Sequence, residues 1–210
     1  MNQKQVWNNI APEWFEFRQE PSRSAKEFLK KQKGKILDLG SGSGRHLFRF
    51  KEKIELKTRD KSQKRKMCLI DFSPEMIKLA KKKAKKQNID AEFKVSPMHK
   101  IPYENEFFDA GICFDSLHCI EKEKQREQAV KELFRILKPK AKALISVWNK
   151  DSKRFKNAPK EKLVGWRDKG KRYYYLYDEK EIHDLFKKTG FKIKKKISHN
   201  LKVEFVVEKG

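Results

Sequence analysis

Two acids and three glycines stand where a nucleotide-like ligand would need them. In residues 36–44 (ILDLGSGSG) an apolar run that reads as a strand breaks into glycine. Gly40, Gly42 and Gly44 let the backbone turn tightly and approach a ligand with no Cβ in the way. In an open α/β sheet such a ligand sits at the carboxyl ends of the strands. The spacing is G-x-G-x-G, not the G-x-G-x-x-G of a dinucleotide turn, whose third glycine packs helix on strand. Asp38, two residues before the first glycine, offers a carboxylate to an ammonium such as a sulfonium amino acid carries, which argues against NAD. The next strand, residues 67–71 (MCLID), ends in Asp71, placed to accept hydrogen bonds from two ribose hydroxyls. Residues 55–66 (ELKTRDKSQKRK) read as an exposed charged loop that lengthens the path from turn to acid. Alone, the glycine turn would be weak evidence against an ordinary structural turn. Joined to Asp71-x-Ser73-x-x-Met76, it is a specific signal.

These residues need a sheet to hold them. Residues 1–33 read as a helical opening segment in two parts, the first carrying Trp7, Ile10, Trp14, Phe15 and Phe17 and the second covering residues 24–31. The glycine turn should lead into a helix over residues 44–53. Ser73-Pro74-Glu75 starts a helix well, since serine caps and proline suits the first helical position. Strands are expected at residues 35–39, 67–71, 91–95, 107–114 and 143–148, with an amphipathic helix over 124–137. A helix over 178–189 precedes a closing strand pair, residues 191–197 and 201–208. This alternation implies one domain over residues 1–210. The fold class is doubly wound α/β, a seven-stranded, mostly parallel sheet with one antiparallel strand. Residues 149–177 read as a basic, aromatic insertion or cap.

The chain has 210 residues, with 53 Lys plus Arg against 29 Asp plus Glu, a net charge of +24. A field of that size attracts polyanions and favours a nucleic-acid partner. Lysine used only for solubility is the alternative, but there glutamate usually rises alongside lysine. No run of about 18 apolar residues is present, so no membrane span is expected. The opening residues lack the apolar stretch of a secretion signal, and the expectation is a cytoplasmic protein. Cys68, Cys113 and Cys119 lie in apolar surroundings without paired spacing, so they read as reduced thiols, not a disulfide or metal site.

The strings ILDLGSGSGRHL, LIDFSPEMIKLA and IPYENEFFDAGICFDSLHCI resemble, in order and spacing, the class I S-adenosylmethionine-dependent methyltransferases. A narrower likeness covers nearly the whole chain. VWNNIAPEWFEFRQEP, ELFRILKPKAKALISVWNK, LVGWRDKGKRYYYLYDEKEIHDLFKKTGF and VEFVVEK resemble the tRNA wobble-uridine methyltransferases related to the methyltransferase part of AlkB homologue eight. Those enzymes esterify 5-carboxymethyluridine in the anticodon loop with a small zinc-binding activator subunit. The resemblance implies that Asp38, Gly40, Ser41, Gly42 and Gly44 contact the methionine part of S-adenosylmethionine and that Asp71 holds the ribose. It implies that Phe72 and Met76 border the adenine, that Met98 and His99 belong to the loop closing over it, and that Phe114 and Asp115 lie beneath the sulfonium. Arg18 and His118 are the implied catalytic residues. The chain departs from the family at Pro97, where an acid is usual, at Cys119, where a second histidine is usual, and at Trp7, where tyrosine is commoner. Lys140-Ala141 replaces an expected Gly-Gly pair.

Methyl transfer mostly asks a protein to align and desolvate the acceptor. A carboxylate acceptor needs no general base, so no catalytic triad is expected. Arg18 can grip such a carboxylate through its planar fork; otherwise it is a solvated or helix-capping arginine. His118 can hydrogen-bond the base or acceptor, or be a satisfied strand-end histidine. Residues 149–175 interleave cations with Phe155, Trp166 and tyrosines, as single-stranded RNA would need. Those aromatics could equally fill the core beneath a cap. The lysines of residues 81–86 and 192–196 read as basic surface. Three functions fit: a tRNA wobble-uridine methyltransferase, a methyltransferase for a quinone precursor or metabolite carboxylate, and a non-catalytic RNA-binding protein with a worn methyltransferase fold.

Overall fold

The computed structural model describes residues 1–49, 65–198 and 200–210. Its main sheet has seven strands in the order β3-β2-β1-β4-β5-β9-β8. These are β1 (Lys35–Leu39), β2 (Lys66–Asp71), β3 (Ala91–Val95), β4 (Phe108–Phe114), β5 (Leu137–Trp148), β8 (Phe191–Ser198) and β9 (Lys202–Lys209). The first five run parallel, and β9 lies antiparallel between β5 and β8. This is the doubly wound, mostly parallel sheet with one antiparallel strand that the sequence implies. β1 pairs with β2 on one side and β4 on the other, so the strand order reverses there and opens a crevice at the strands' carboxyl ends.

Burial explains the strand sequences. Ile36, Leu37 and Leu39 of β1 and Ile112 of β4 are buried, because helices and loops cover both faces of the sheet. One core cluster gathers Leu37, Ile70, Leu133, Val147 and Phe186; another gathers Leu29, Ile36, Leu69, Ala80 and Leu144. Helix α3 (Pro74–Gln87) starts as expected, with Ser73 Oγ accepting from the Met76 amide at 3.1 Å and Pro74 in the first turn. Helices α4 (Glu123–Ile136) and α5 (Glu179–Lys188) lie where the apolar periodicity placed them. Among the described residues no helix is long and apolar enough to cross a membrane.

Helix α1 (Gln3–Phe17) begins with a reciprocal cap between Asn2 and Gln5. It packs Trp7, Ile10 and Ala11 against Met76 of α3, which carries its carboxyl end over the glycine turn. Helix α2 (Arg23–Lys30) packs Ala25, Phe28 and Leu29 beneath the sheet.

Three expectations change, and a fourth lies largely outside the described residues. Residues 44–49 form turns and irregular backbone where a helix was expected, and residues 50–53 lie outside the described residues. Gly40, Gly42 and Gly44 all adopt positive φ, and the Gly44 and Leu47 amides bond three residues back, which no α-helix does. The charged loop expected at residues 55–66 lies outside the described residues up to residue 64, and Lys66 opens β2. Strand β5 starts six residues earlier than expected, because Leu137 pairs with Phe108 across an irregularity and Lys140 takes φ +65° in place of a glycine. Residues 149–177 contain a two-stranded antiparallel hairpin that periodicity did not show: β6 (Glu161–Gly165) and β7 (Lys171–Tyr175).

Candidate active site

A cavity of about 190 Å³ opens at the carboxyl ends of β1, β2, β4 and β5. Its sheet-side wall is the glycine turn. The Gly40 amide donates to the Ile70 carbonyl at 2.8 Å, and the Ser41 amide to the same oxygen at 3.0 Å. A Cβ at Gly40 would lie 2.4 Å from both Met98 Cε and Ser116 Cβ. One at Gly42 would meet only Trp14 Nε1 at 3.9 Å and Met76 Sδ at 4.0 Å. The turn therefore leaves a cradle in front of Gly42, with φ +53° there and φ +70° at Gly40.

Asp71 ends β2 beside that cradle. Its two carboxylate oxygens accept from the Gly42 and Ser73 amides, each at 2.9 Å. Burial still wins and pushes its pKa up to about 6, with the Ser73 and Gly42 amides opposing. Asp38 is buried one layer down. One of its oxygens meets His46 Nδ1 at 3.3 Å and the other, Oδ1, has no partner among the described residues. Burial pushes the His46 pKa down against the attraction of Asp38.

Asp115 follows β4 with φ +56°. Its Oδ2 accepts from Lys202 Nζ at 2.6 Å and from Arg45 at 3.0 Å, and its Oδ1 accepts from Ser146 Oγ at 2.8 Å. Burial alone would raise its pKa, but Lys202 and then Arg45 hold it well below the usual carboxylate range. Asp115 is thereby an ionised anchor, not a base.

His118 sits in a 3-10 turn, Leu117–Cys119, and is only 1% exposed. It ends a stack of rings: Phe155 lies 4.9 Å from Trp148, Trp148 lies 4.2 Å from Tyr174, and His118 lies 5.3 Å from Tyr174. Burial drives its pKa down to about 4 despite Asp115, so its ring is neutral at pH 7, and its Nδ1 has no partner.

The opposite wall is the carboxyl end of α1 with the hairpin. Arg18 caps α1 through its backbone amide, which donates to the Trp14 carbonyl at 2.9 Å. Its guanidinium lies 5.2 Å from the Phe17 ring centre and 5.5 Å from that of Trp14. Its Nε is buried without a partner. Burial and the neighbouring Arg45 charge lower its pKa.

Most of the expected residues meet here. Gly40, Ser41, Gly42, Asp71 and Phe72 line one side of the cavity, Met98 and His99 the adjoining loop, and Phe114, Asp115, His118 and Arg18 the floor and roof. Asp38, Gly44 and Met76 stand behind the wall. A Cβ at Gly44 would meet Leu47 and Ala80 at about 3.0 Å and 3.1 Å, so this glycine serves packing. Pro97 and Cys119, the two departures, both line the cavity. Among the described residues no cluster of ligating side chains could hold a metal. Arg45, Trp148 and Lys202 escaped the sequence reading. Trp148 ends a parallel strand, where such sites gather; Lys202 carries no local signal, because antiparallel pairing alone delivers it.

The sequence profile of the methyltransferase domain family matches residues 30–190. The chain belongs to that family. The sheet order, the glycine turn and the acid ending β2 make it a class I S-adenosylmethionine-dependent methyltransferase. The residues fit that cofactor: an open glycine cradle, an acid beside it for ribose hydroxyls, and the unpartnered Asp38 oxygen behind the turn. Among similar proteins, one named "Probable tRNA methyltransferase 9B" of Mus musculus is 25% identical over 163 residues, which are 77% of this chain and 32% of that protein. The tRNA (carboxymethyluridine(34)-5-O)-methyltransferase of Arabidopsis thaliana is 36% identical over 78 residues, 37% of this chain and 18% of that one. The chain thus spans a third or less of the length of these relatives. In fold it is similar to a Haloferax volcanii methyltransferase solved with the Trm112 activator, with TM-score 0.67, 15% identity, and 98% and 95% of the two chains covered.

Proposed function

We propose that this methyltransferase esterifies the carboxylate of 5-carboxymethyluridine at the wobble position of tRNA. The observation that carries the reading is the cap-side wall. Arg18 lines the cavity, and its buried Nε has no partner among the described residues. A carboxylate acceptor suits that wall, because it arrives ionised and pairs with a guanidinium fork. Burial makes His118 a weak base and Asp115 is pinned by two cations, so both are poor proton acceptors. A hydroxyl or carbon acceptor would need that service. The names of the mouse and Arabidopsis relatives point to tRNA, and the +24 charge is of the right sign for it.

Bound in the cradle, S-adenosylmethionine supplies an electrophilic methyl group. Gly40, Ser41 and Gly42 hold its methionine part, with Asp38 setting the field behind the turn. Asp71 would accept from its ribose hydroxyls, Phe72, Met98 and His99 would border its adenine, and Phe114 and Asp115 would face its sulfonium end. Arg18 orients the acceptor carboxylate, while His118, held by the ring stack, donates to or accepts from the uridine edge. Residues 149–177 form the cap of a single domain, and the protein works in the cytoplasm on the anticodon loop. A small zinc-binding activator is a fitting partner, supported by the likeness to the Haloferax protein solved with Trm112.

The test is methyl transfer from radiolabelled S-adenosylmethionine to bulk tRNA, with and without a cognate activator, followed by nucleoside analysis. The expected product is an alkali-labile ester of 5-carboxymethyluridine. Unlabelled tRNA in both conditions, with label in small-molecule extracts, would overturn the RNA assignment and favour a metabolite acceptor.

A further inference from the structure

Arg172, on β7, is 6% exposed. Its guanidinium carbon lies 4.9 Å from the Trp166 ring centre, 5.2 Å from Trp14, 5.3 Å from Tyr174 and 6.0 Å from Trp7. Three of those rings, Trp7, Trp14 and Tyr174, line the cavity, so the charge sits directly behind its wall. Among the described residues no side chain pairs with it, and its Nε is buried without a partner. The nearby acid Glu13 is already engaged, accepting from Trp166 Nε1 at 2.8 Å and pairing with Arg167 at 3.1 Å. A buried, permanently charged group without a counterion is costly, and attraction to ring faces offsets only part of that cost. Arg18 repeats the pattern beside the same Trp14 ring. Two guanidiniums flank one ring, each with a buried Nε that has no partner among the described residues, and Asp115, an acid lining the cavity, is already bound to Lys202 and Arg45.

We infer that Arg172 is a specificity-determining positioning residue: Arg18 contacts the acceptor's anionic group, and Arg172, one ring-layer behind, completes the positive field that selects it. This rests on the carboxylate reading above. A fixed charge in a water-poor wall acts across a ring because little solvent screens it. Esterification replaces the carboxylate by a neutral methyl ester, the methyl carbon passing from sulfur to oxygen with no proton moved. The field therefore holds the acid and releases the ester.

The experiment compares binding of two anticodon stem-loop RNAs that differ only in carrying 5-carboxymethyluridine or its methyl ester, with S-adenosylhomocysteine present. Phosphate contacts are common to both, so the acid-to-ester affinity ratio isolates the charge effect. The wild type is expected to prefer the acid by about tenfold or more, R172M by less than about threefold, and R172K to recover most of the preference. The melting temperature of R172M is expected to equal or exceed that of the wild type, since an apolar chain replaces an uncompensated charge. If R172M discriminates like the wild type, or the wild type does not discriminate at all, the proposal falls. An R172M variant that loses both folding stability and affinity, with R172K equally impaired, would also overturn it, because shape and not charge would then matter. If the wild type binds neither RNA yet acetate quenches its tryptophan fluorescence in an Arg172-dependent way, the charge role stands and the nucleoside assignment fails.

Discussion

The two walls of the cavity treat their charges in opposite ways. On the sheet side, nearly every ionisable group is answered from within. Asp71 takes two backbone amides, Asp115 takes Lys202, Arg45 and Ser146, and Asp38 shares one oxygen with His46. On the cap side, Arg18 and Arg172 keep buried nitrogens with no acceptor among the described residues and lean on aromatic faces. The first wall is organised before a ligand arrives, as a site for a fixed cofactor should be. The second is held in an electrostatically unfinished state that an anion would complete. A variant that disturbs only one wall should therefore separate cofactor binding from acceptor binding.

The largest effect should come from the sheet side. Gly40→Ala places a methyl 2.4 Å from Met98 and Ser116 at φ +70°. A loss of about 2–4 kcal/mol in stability is expected from strain and overpacking together. Calorimetry with S-adenosylhomocysteine should find binding abolished. Retained cofactor affinity would show that this wall relaxes and is less preorganised than its hydrogen bonds imply.

A pH titration gives an effect of intermediate size. Asp71 must be ionised to accept from ribose hydroxyls, and in the free protein its pKa is pushed up to about 6. Affinity for S-adenosylhomocysteine should be flat above pH 7 and fall below about 6, by at most about tenfold per unit. The stability contribution of the same group has the opposite sign. Its folded pKa lies above its unfolded one, so between about 6 and the ordinary carboxylate value the folded chain binds the extra proton, and this group favours folding as pH falls. Asp71→Asn should bind weakly at every pH and lose the titration. A wild-type affinity that does not change between pH 7 and 5 would contradict the assigned role of Asp71.

The smallest effect should come from the rim of the cap. Lys171 is exposed on β7, next to Arg172. Lys171→Gln should weaken tRNA binding modestly and equally for all sequences, and lower the salt-dependence slope by about one. It should leave cofactor affinity untouched. An unchanged slope would place the RNA path on another face, such as the lysines of residues 192–196.

The basic runs behave differently from a uniform surface. Within residues 81–86, Lys83 is buried and donates to the Gln19 carbonyl at 2.8 Å and the Arg45 carbonyl at 3.4 Å, tying α3 to the segment after α1. The aromatics of residues 149–175 also divide. Phe155 and Tyr174 fill the interior and hold His118, whereas Trp166 is half-buried beside Phe17, which is 63% exposed. Composition marks both stretches as basic or aromatic, but only packing sorts the solvated groups from the structural ones.

By itself the sequence determined the elements and turns whose causes are local. A glycine run that must take positive φ, an acid ending an apolar strand, Ser73-Pro74 opening a helix, and apolar periods of two or 3.6 are all set by backbone sterics and nearest neighbours. Those features located β1, β2, α3 and the sheet-side wall of the cavity, including Asp71. The tertiary structure decided what depends on long-range packing. The stack from Phe155 to His118, the Lys202–Asp115 pair spanning 87 residues, and the four rings around Arg172 join segments far apart in the chain. No local propensity encodes such meetings, because their energies come from burial and unscreened charge that exist only once the sheet, α1 and the hairpin have closed on one another.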